Sequence, residues 1–112
     1  MDDCIFCKIA RGEIPSSKVY ENDQVFAFRD IHPQAPVHVL VIPKKHAANI
    51  LEGVAKGMTA DLMEAVAQVA KLEGVEESGF RVITNCGRDG AQSVQHLHFH
   101  VLGGRQLPEQ MG

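Results

Sequence analysis

The segment from residue 96 to 102 reads His-Leu-His-Phe-His-Val-Leu, so that three histidines alternate strictly with apolar residues. Successive side chains of a β-strand point to opposite faces, and the pattern therefore predicts a strand with one apolar face and one imidazole face. His96, His98 and His100 form the imidazole face. Grouped imidazoles can ligate a metal, relay protons or attack an electrophile, whereas a row of solvated surface histidines is the plainer alternative.

The rest of the chain predicts an α+β fold. A short helix is expected over residues 4–10, and a long amphipathic helix over 59–72 with Gly74 as its stop. Strands are expected over 18–21, 24–29, 38–42, 80–84 and 96–102. This order favours a five-stranded antiparallel sheet that packs one face on the long helix. We expect residues 1–112 to form a single domain, with its motifs within about 4–105 and a C-terminal tail over 106–112.

Composition excludes several classes of function. With 112 residues, 45% hydrophobic content and a net charge of −3, the chain has enough apolar surface for one core. It has no basic surplus to neutralise a nucleic-acid duplex, and no apolar run long enough for a membrane span. The acidic start does not resemble a secretory signal, and Cys4, Cys7 and Cys86 make an odd count. These features predict a cytoplasmic protein in a reducing compartment.

The loop over residues 85–93 precedes the histidine strand. Its glycines and Ala91 allow close approach of the backbone, and successive main-chain N–H groups in such a turn can bind an anion. Gln92 and Ser93 add neutral donors just before the histidines. The glycines could also be turn formers only. Beside grouped histidines, the loop favours phosphorus or acyl chemistry.

These residues resemble the histidine triad superfamily. The segment 96–102 matches its His-φ-His-φ-His-φ-φ motif, and the likeness extends from about Cys4 to Arg105. Other similar segments are Asp30-Ile31, the Pro-Gln-Ala-Pro stretch at 33–36, His38, the run 41–46 and the loop 90–93. The ending Leu-Gly-Gly-Arg at 102–105 resembles the branch of histidine triad nucleotide-binding proteins rather than the dinucleotide-hydrolase branch.

The resemblance implies a homodimer whose two sheets join into one, and an enzyme that hydrolyses purine nucleoside 5′-phosphoramidates without an organic cofactor. His98 would be the nucleophile and form a covalent nucleotidyl intermediate, while His100 would bond the phosphate. His96 and His38 would orient His98 or relay protons to it. Three alternatives remain open: a dinucleoside polyphosphate hydrolase, a non-catalytic regulatory module that binds purine nucleotides such as AMP, and a zinc protein whose histidine triad is partly structural.

The resemblance also implies a set of nucleotide contacts. Asp30 would accept the ribose hydroxyls, and Asn85 and Ser93 would lie near the phosphate or leaving group, with Ala91 and Gln92 in the same loop. The purine would be surrounded by Phe6, Ile9, Ile14, Phe28 and Ile31. Each has a plainer interpretation, since Asp30 could only cap its turn, Asn85 could simply end a strand, and the apolar residues could only fill the core.

The pair Cys4 and Cys7 has the spacing of half a zinc site. Some bacterial members of the superfamily place zinc between such a pair and two histidines, and by position these would be His46 and His96. The resemblance thus implies a structural zinc held by these four residues. Two buried free thiols, or a redox pair, are the alternatives. A zinc-bound His96 could not relay protons freely, so the two roles suggested for this residue conflict.

Overall fold

The computed structural model describes residues 3–111; Met1, Asp2 and Gly112, at the ends of the predicted domain, lie outside the described residues. The helices are α1 Ile5–Ala10, α2 Ile50–Ala55 and α3 Thr59–Leu72. The strands are β1 Lys18–Glu21, β2 Val25–Arg29, β3 Val37–Pro43, β4 Phe80–Ile83 and β5 Phe99–Gly103. The predicted α+β fold with a five-stranded antiparallel sheet is confirmed. Within residues 3–111, no helix has the length and apolar character to cross a membrane.

The sheet brings distant segments together in the order β1-β2-β3-β5-β4, with every neighbouring pair antiparallel. In the β3–β5 pair, His38 lies opposite Leu102 and Leu40 lies opposite His100. Residues directly opposite each other point to the same face of a sheet. His38 and His100, 62 positions apart in the chain, therefore share one face.

The two faces of the sheet carry separate apolar clusters. Helix α3 packs on one face, where its buried residues Leu62, Val66 and Val69 meet the inward side chains of β3 and β5. Helix α1 covers part of the other face, and Phe6 joins a second cluster with residues such as Phe28. His38 and the three histidines of the 96–100 segment thus lie on the face that α1 covers, and α3 stabilises the sheet by packing on the opposite face.

Helix α2 is absent from the sequence-based prediction, which contained one short and one long helix. Its Asn49 cap accepts a hydrogen bond from the backbone N–H of Glu52, so a capping signal stands in the sequence. Leu51 and Val54, however, are exposed, and only Gly53 of this helix is buried. Without a buried apolar stripe, periodicity cannot indicate the helix.

The last strand begins at Phe99, three residues later than predicted. The backbone before it is bonded elsewhere: the Leu97 N–H donates to the Ala47 carbonyl at 2.7 Å, and the His98 carbonyl accepts from the Thr84 hydroxyl at 2.8 Å. The predicted alternation still holds, because Leu97 packs in the α3-side cluster while His98 contacts Phe6 on the other face.

Gly104, just after β5, lies against the segment that leads into β3 at Pro36, and a substitution there tests how closely the two segments approach. Its φ is +89°, and an added Cβ would lie 2.9 Å from the Pro36 Cβ. We expect Gly104→Ala to lower the free energy of unfolding by about 2–3 kcal/mol, combining backbone strain with overpacking. Gly57→Ala is the matched control, since Gly57 has φ +73° and nothing within 4 Å, and strain alone costs about 1 kcal/mol. Urea denaturation measures the free energy of unfolding of both variants. Equal losses in the two variants would contradict the close approach of Gly104 to Pro36.

Candidate active site

Four potential ligand atoms converge beneath α1. The Sγ atoms of Cys4 and Cys7 and the Nδ1 atoms of His46 and His96 all lie within 4.8 Å of one another. Three sulfur–nitrogen distances are 3.3, 3.4 and 3.5 Å, and the two nitrogens are 3.1 Å apart. A tetrahedral zinc with ordinary bond lengths requires S···N edges of about 3.6 Å and an N···N edge of about 3.3 Å. The donor set and its spacing fit zinc, and we call these four residues the donor cluster.

Hydrogen bonds around the donor cluster point the ligand atoms inward. Cys4 caps α1, where its sulfur accepts from the Cys7 backbone N–H at 3.4 Å. On His96, Nε2 is 2.9 Å from the Pro43 carbonyl. A carbonyl only accepts, so Nε2 carries the proton and Nδ1 offers its lone pair to the cluster. Burial lowers the pKa of His96 to about 4, which keeps the ring in the neutral form that ligates metals.

His98 lies directly beside the donor cluster and is almost fully buried. Its Nδ1 is 2.8 Å from the backbone carbonyl of His96, so Nδ1 carries the proton and Nε2 has a free lone pair. Phe6 contacts the ring edge-on, with ring centroids 5.1 Å apart and an interplanar angle of 85°. The ring of His98 is therefore fixed with an unprotonated nitrogen directed away from the backbone, as an attacking imidazole requires.

A second cluster consists of Asp30, His38 and His100, and we call it the relay cluster. The Gln34 backbone N–H donates to Nδ1 of His38 at 3.0 Å, so the His38 proton is on Nε2. That proton faces Nδ1 of His100 at 2.9 Å and Oδ2 of Asp30 at 3.5 Å. With its Nδ1 accepting, neutral His100 carries its own proton on Nε2.

Burial lowers the pKa values of both histidines of the relay cluster. For His100, burial and the neighbouring rings of His98 and His38 lower the pKa to about 4. For His38, burial lowers the pKa and the Asp30 carboxylate opposes the shift. Both rings are accordingly neutral near pH 7, and each can donate one ring proton and accept one.

The remaining candidate nucleotide contacts are distributed around these clusters. Phe6 and Phe28 pack edge to face with centroids 5.6 Å apart, and Ile14 borders the same apolar cluster. Ile9 is buried within that cluster, as the plainer core interpretation has it. Ile31 is 86% exposed. Oδ1 of Asp30 accepts from the His32 N–H at 2.8 Å, which is the capping contact considered as its plainer role, while Oδ2 faces the relay cluster.

The loop before His96 is braced by its own side chains. Gln92 is engaged at both ends, donating to the Ala48 and Val94 carbonyls and accepting from the Gly87 N–H. Asn85 donates to the Gly90 carbonyl at 2.7 Å. Ala91 adopts φ +58°, the positive-φ conformation of a tight turn. Ser93 is exposed and borders a cavity of about 510 Å³ with Cys4 and His46.

The backbone groups that set the ring protons were not found by sequence analysis. Gln34 supplies an N–H, and Pro43 and His96 supply carbonyls. Every residue other than proline carries both groups, so no residue type signals these contacts. The side chain of Thr84, bonded to the His98 carbonyl, is a further missed contact.

A buried imidazole with a free nitrogen, beside rings that can donate a proton, is an arrangement that can attack an electrophilic centre. The chain belongs to the HIT family, because the HIT domain matches residues 11–107. It is 46% identical over 113 residues to the purine nucleoside phosphoramidase of Escherichia coli K12, covering 95% of this chain and 91% of that protein. It is also 50% identical over 109 residues to a 14 kDa zinc-binding protein of Zea mays, covering 92% and 83%.

Solved structures agree with the family assignment. A histidine triad protein from Clostridium difficile superposes with a TM-score of 0.93 at 49% identity, covering 99% of this chain and 98% of that one. A HIT family hydrolase from Legionella pneumophila superposes with a TM-score of 0.91 at 45% identity, covering 98% and 100%. The predicted resemblance to the histidine triad superfamily is thereby confirmed, and the chain's class is that of the HIT hydrolases.

The lowered pKa of His100 predicts acid sensitivity. Between about pH 6.5 and pH 4, the unfolded chain binds a proton at this ring that the folded chain does not, so acidification through this window lowers stability. We expect the free energy of unfolding to fall less between pH 7 and pH 5 in His100→Asn than in the native protein, by about 1–2 kcal/mol. Urea titrations at both pH values test this. An equal fall in both proteins would contradict a neutral, buried His100.

Proposed function

We propose that the protein hydrolyses purine nucleoside 5′-phosphoramidates through a covalent nucleotidyl intermediate on His98. The observation that carries the proposal is the ring of His98, whose Nδ1 is bonded to the His96 carbonyl at 2.8 Å and whose Nε2 is free. The relative from Escherichia coli, named a purine nucleoside phosphoramidase, supports the substrate class. The proposal also assigns a binding role to the apolar cluster around Phe6 and to the nearby Asp30 carboxylate.

In the first step, Nε2 of His98 donates its lone pair to the α-phosphorus while the P–N bond to the amine breaks. The leaving nitrogen takes up a proton from water and departs as the amine. The His98 ring becomes positively charged, and its Nδ1–H bond to the His96 carbonyl becomes a stronger, charge-assisted bond. The Nε2–H of His100 supplies a donor for the phosphate oxygens as negative charge develops on them.

In the second step, water attacks the phosphorus and the bond to His98 breaks. The electron pair returns to Nε2, the nucleoside monophosphate leaves, and the water gives up its proton to solvent. Division into two displacements replaces one difficult step with two easier ones. In this scheme Asp30 accepts the ribose hydroxyls through Oδ2, while Asn85 and Ser93 lie on the phosphate side with the loop of Ala91 and Gln92. Phe6, Ile14, Phe28 and Ile31 contact the purine.

Substitution of the proposed nucleophile tests this mechanism. We expect His98→Ala to lower AMP release from adenosine 5′-phosphoramidate by at least about 10³-fold, since the variant lacks the proposed nucleophilic nitrogen. AMP should still bind, as measured by calorimetry. His32→Ala is the control, because His32 is an exposed histidine outside both clusters. A diadenosine polyphosphate serves as the competing substrate; faster hydrolysis of that compound would favour the dinucleoside polyphosphate hydrolase.

We propose that the donor cluster holds one structural zinc. Cys4, Cys7, His46 and His96 fit tetrahedral coordination, and the zinc-binding relative from Zea mays supports the choice of metal. When bound, zinc supplies a cross-link rather than a reacting group, because four protein ligands complete its coordination. Both ring nitrogens of His96 are then engaged, so we assign this residue to the metal and not to proton relay. Thiolate ligands of this kind suit a reducing compartment such as the cytoplasm.

Removal of one ligand tests the zinc proposal. We expect the purified protein to contain one zinc per chain and Cys7→Ser to lose it, with a fall of at least about 3 kcal/mol in the free energy of unfolding. Cys86→Ser is the matched control, since this free cysteine is outside the donor cluster. Zinc content by mass spectrometry and denaturation with and without chelator measure the effects. A metal-free native protein of full stability would overturn the proposal.

We further propose that the protein is a homodimer that joins two sheets along β4. Strand β4 is an edge strand, and its outer hydrogen-bonding groups invite pairing. Phe80 and Val82 point to the same face as Gly103 and Val101 of β5, but α3 packs mainly on the other strands. These two side chains are therefore 40% and 39% exposed. A second copy across the edge would cover them.

A charge at the proposed interface tests the dimer. We expect Val82→Lys to halve the mass measured by sedimentation, because a buried unpaired ammonium at the interface costs more than the contact gains. Leu51→Lys is the control, since Leu51 is an exposed apolar residue of α2, away from β4. A native protein that sediments as a monomer would contradict the proposal.

A further inference from the structure

The relay cluster has the composition of a metal site. The ligand atoms of Asp30, His38 and His100 lie within 4.8 Å of one another, and His38 and His100 approach to 2.9 Å. Two imidazoles and one carboxylate make a common ligand set for divalent transition metals. Residues 3–111 thus include two histidine-rich clusters on one face of the sheet, and both have ligands that zinc accepts.

The two clusters differ in the hydrogen bond made by the outward ring nitrogen, which is the histidine nitrogen that faces away from the other ligand atoms of its cluster. A histidine that ligates a metal needs its proton on the other nitrogen, where an acceptor normally holds it. In the donor cluster, the Pro43 carbonyl is such an acceptor for His96. In the relay cluster, the group facing the outward nitrogen of His38 is a donor, the Gln34 N–H at 3.0 Å. A metal on Nε2 of His38 would move the ring proton to Nδ1 and leave two N–H groups facing each other.

We propose that the Gln34 backbone N–H is a positioning group that fixes His38 as a donor to His100 and thereby excludes metal from the relay cluster. The Gln34 backbone is itself held in place, because its carbonyl accepts a hydrogen bond from Arg105. Oδ2 of Asp30 favours the same ring proton on His38, since a carboxylate accepts and cannot donate.

Two consequences follow for the site. First, the direction of donation is fixed along two successive hydrogen bonds, from the Gln34 N–H to His38 and from His38 to His100. The Nε2–H of His100 then faces away from His38 and remains a donor. Second, divalent metal is confined to the donor cluster, whose four ligands complete its coordination without His98. Only the effects of these consequences on turnover rest on the proposed phosphoramidate hydrolysis; the positions of the ring protons and the Zn²⁺ stoichiometry do not.

The native protein supplies the first test. Long-range ¹H–¹⁵N spectra of the zinc-loaded protein report which nitrogen of each ring is protonated. We expect protonated Nε2 and bare Nδ1 for both His38 and His100, unchanged when a second equivalent of Zn²⁺ is added. Protonated Nδ1 on His38, or ring shifts of His38 and His100 on adding the second equivalent, would overturn the proposal. This measurement needs no variant and no substrate.

The second test removes the N–H itself. Gln34→Pro lacks this group, whereas Gln34→Ala keeps it and loses only the side-chain amide. We expect Gln34→Pro to lower kcat about tenfold, as for other outer-shell partners, with KM nearly unchanged. It should also bind a second Zn²⁺ and become inhibited by it, while Gln34→Ala and the native protein do neither. Identical behaviour of the two folded variants would overturn the proposal.

Together, the two tests distinguish failure of the proposal about Gln34 from misfolding of a variant and from failure of the proposed function. If Gln34→Pro does not fold, as judged by circular dichroism and zinc content, the spectra of the native protein decide the matter. If the native protein does not hydrolyse phosphoramidates, the proposed function fails, but ring-proton positions and Zn²⁺ stoichiometry still test the role of Gln34.

Discussion

The hydrogen bond from Nδ1 of His98 to the His96 carbonyl is the contact on which the site depends. It gives His98 a free Nε2, and it ties this ring to the backbone of a residue in the donor cluster. The backbone can make this bond because β5 begins only at Phe99, which frees residues 96–98 from the sheet. A strand extending to His96, as the sequence predicts, would direct these carbonyls into the ladder instead.

Helix α1 connects metal binding, in our proposal, with the reacting ring. One turn of helix carries Cys4 at its cap and Cys7 inside it, with Phe6 between them. Phe6 contacts both His96 and His98 edge-on, at centroid distances of 5.9 and 5.1 Å. A cross-link through the two cysteines would therefore hold α1 on the sheet and, through Phe6, hold the orientation of the His98 ring.

The sequence predicts the parts of this protein that rest on periodicity. Helix α3 spans Thr59–Leu72 as expected, because an apolar stripe and a glycine stop define it, and the imidazole face was evident from strict alternation. Periodicity gives no indication that His46 and His96, 50 positions apart in the chain, lie together. The expectation that they share a zinc site rests on the family resemblance. The ring-proton positions depend on backbone groups such as the Gln34 N–H, which any residue except proline would supply.

The stereochemical course at phosphorus is the most direct test of the proposed two-step mechanism. A substrate made chiral at the α-phosphorus by sulfur substitution is hydrolysed in ¹⁸O-water, and the configuration of the product is determined. Each in-line displacement inverts the phosphorus, so attack by His98 followed by attack of water predicts overall retention. Inversion would mean that water attacks in a single step, and would contradict a nucleophilic role for the free Nε2 of His98.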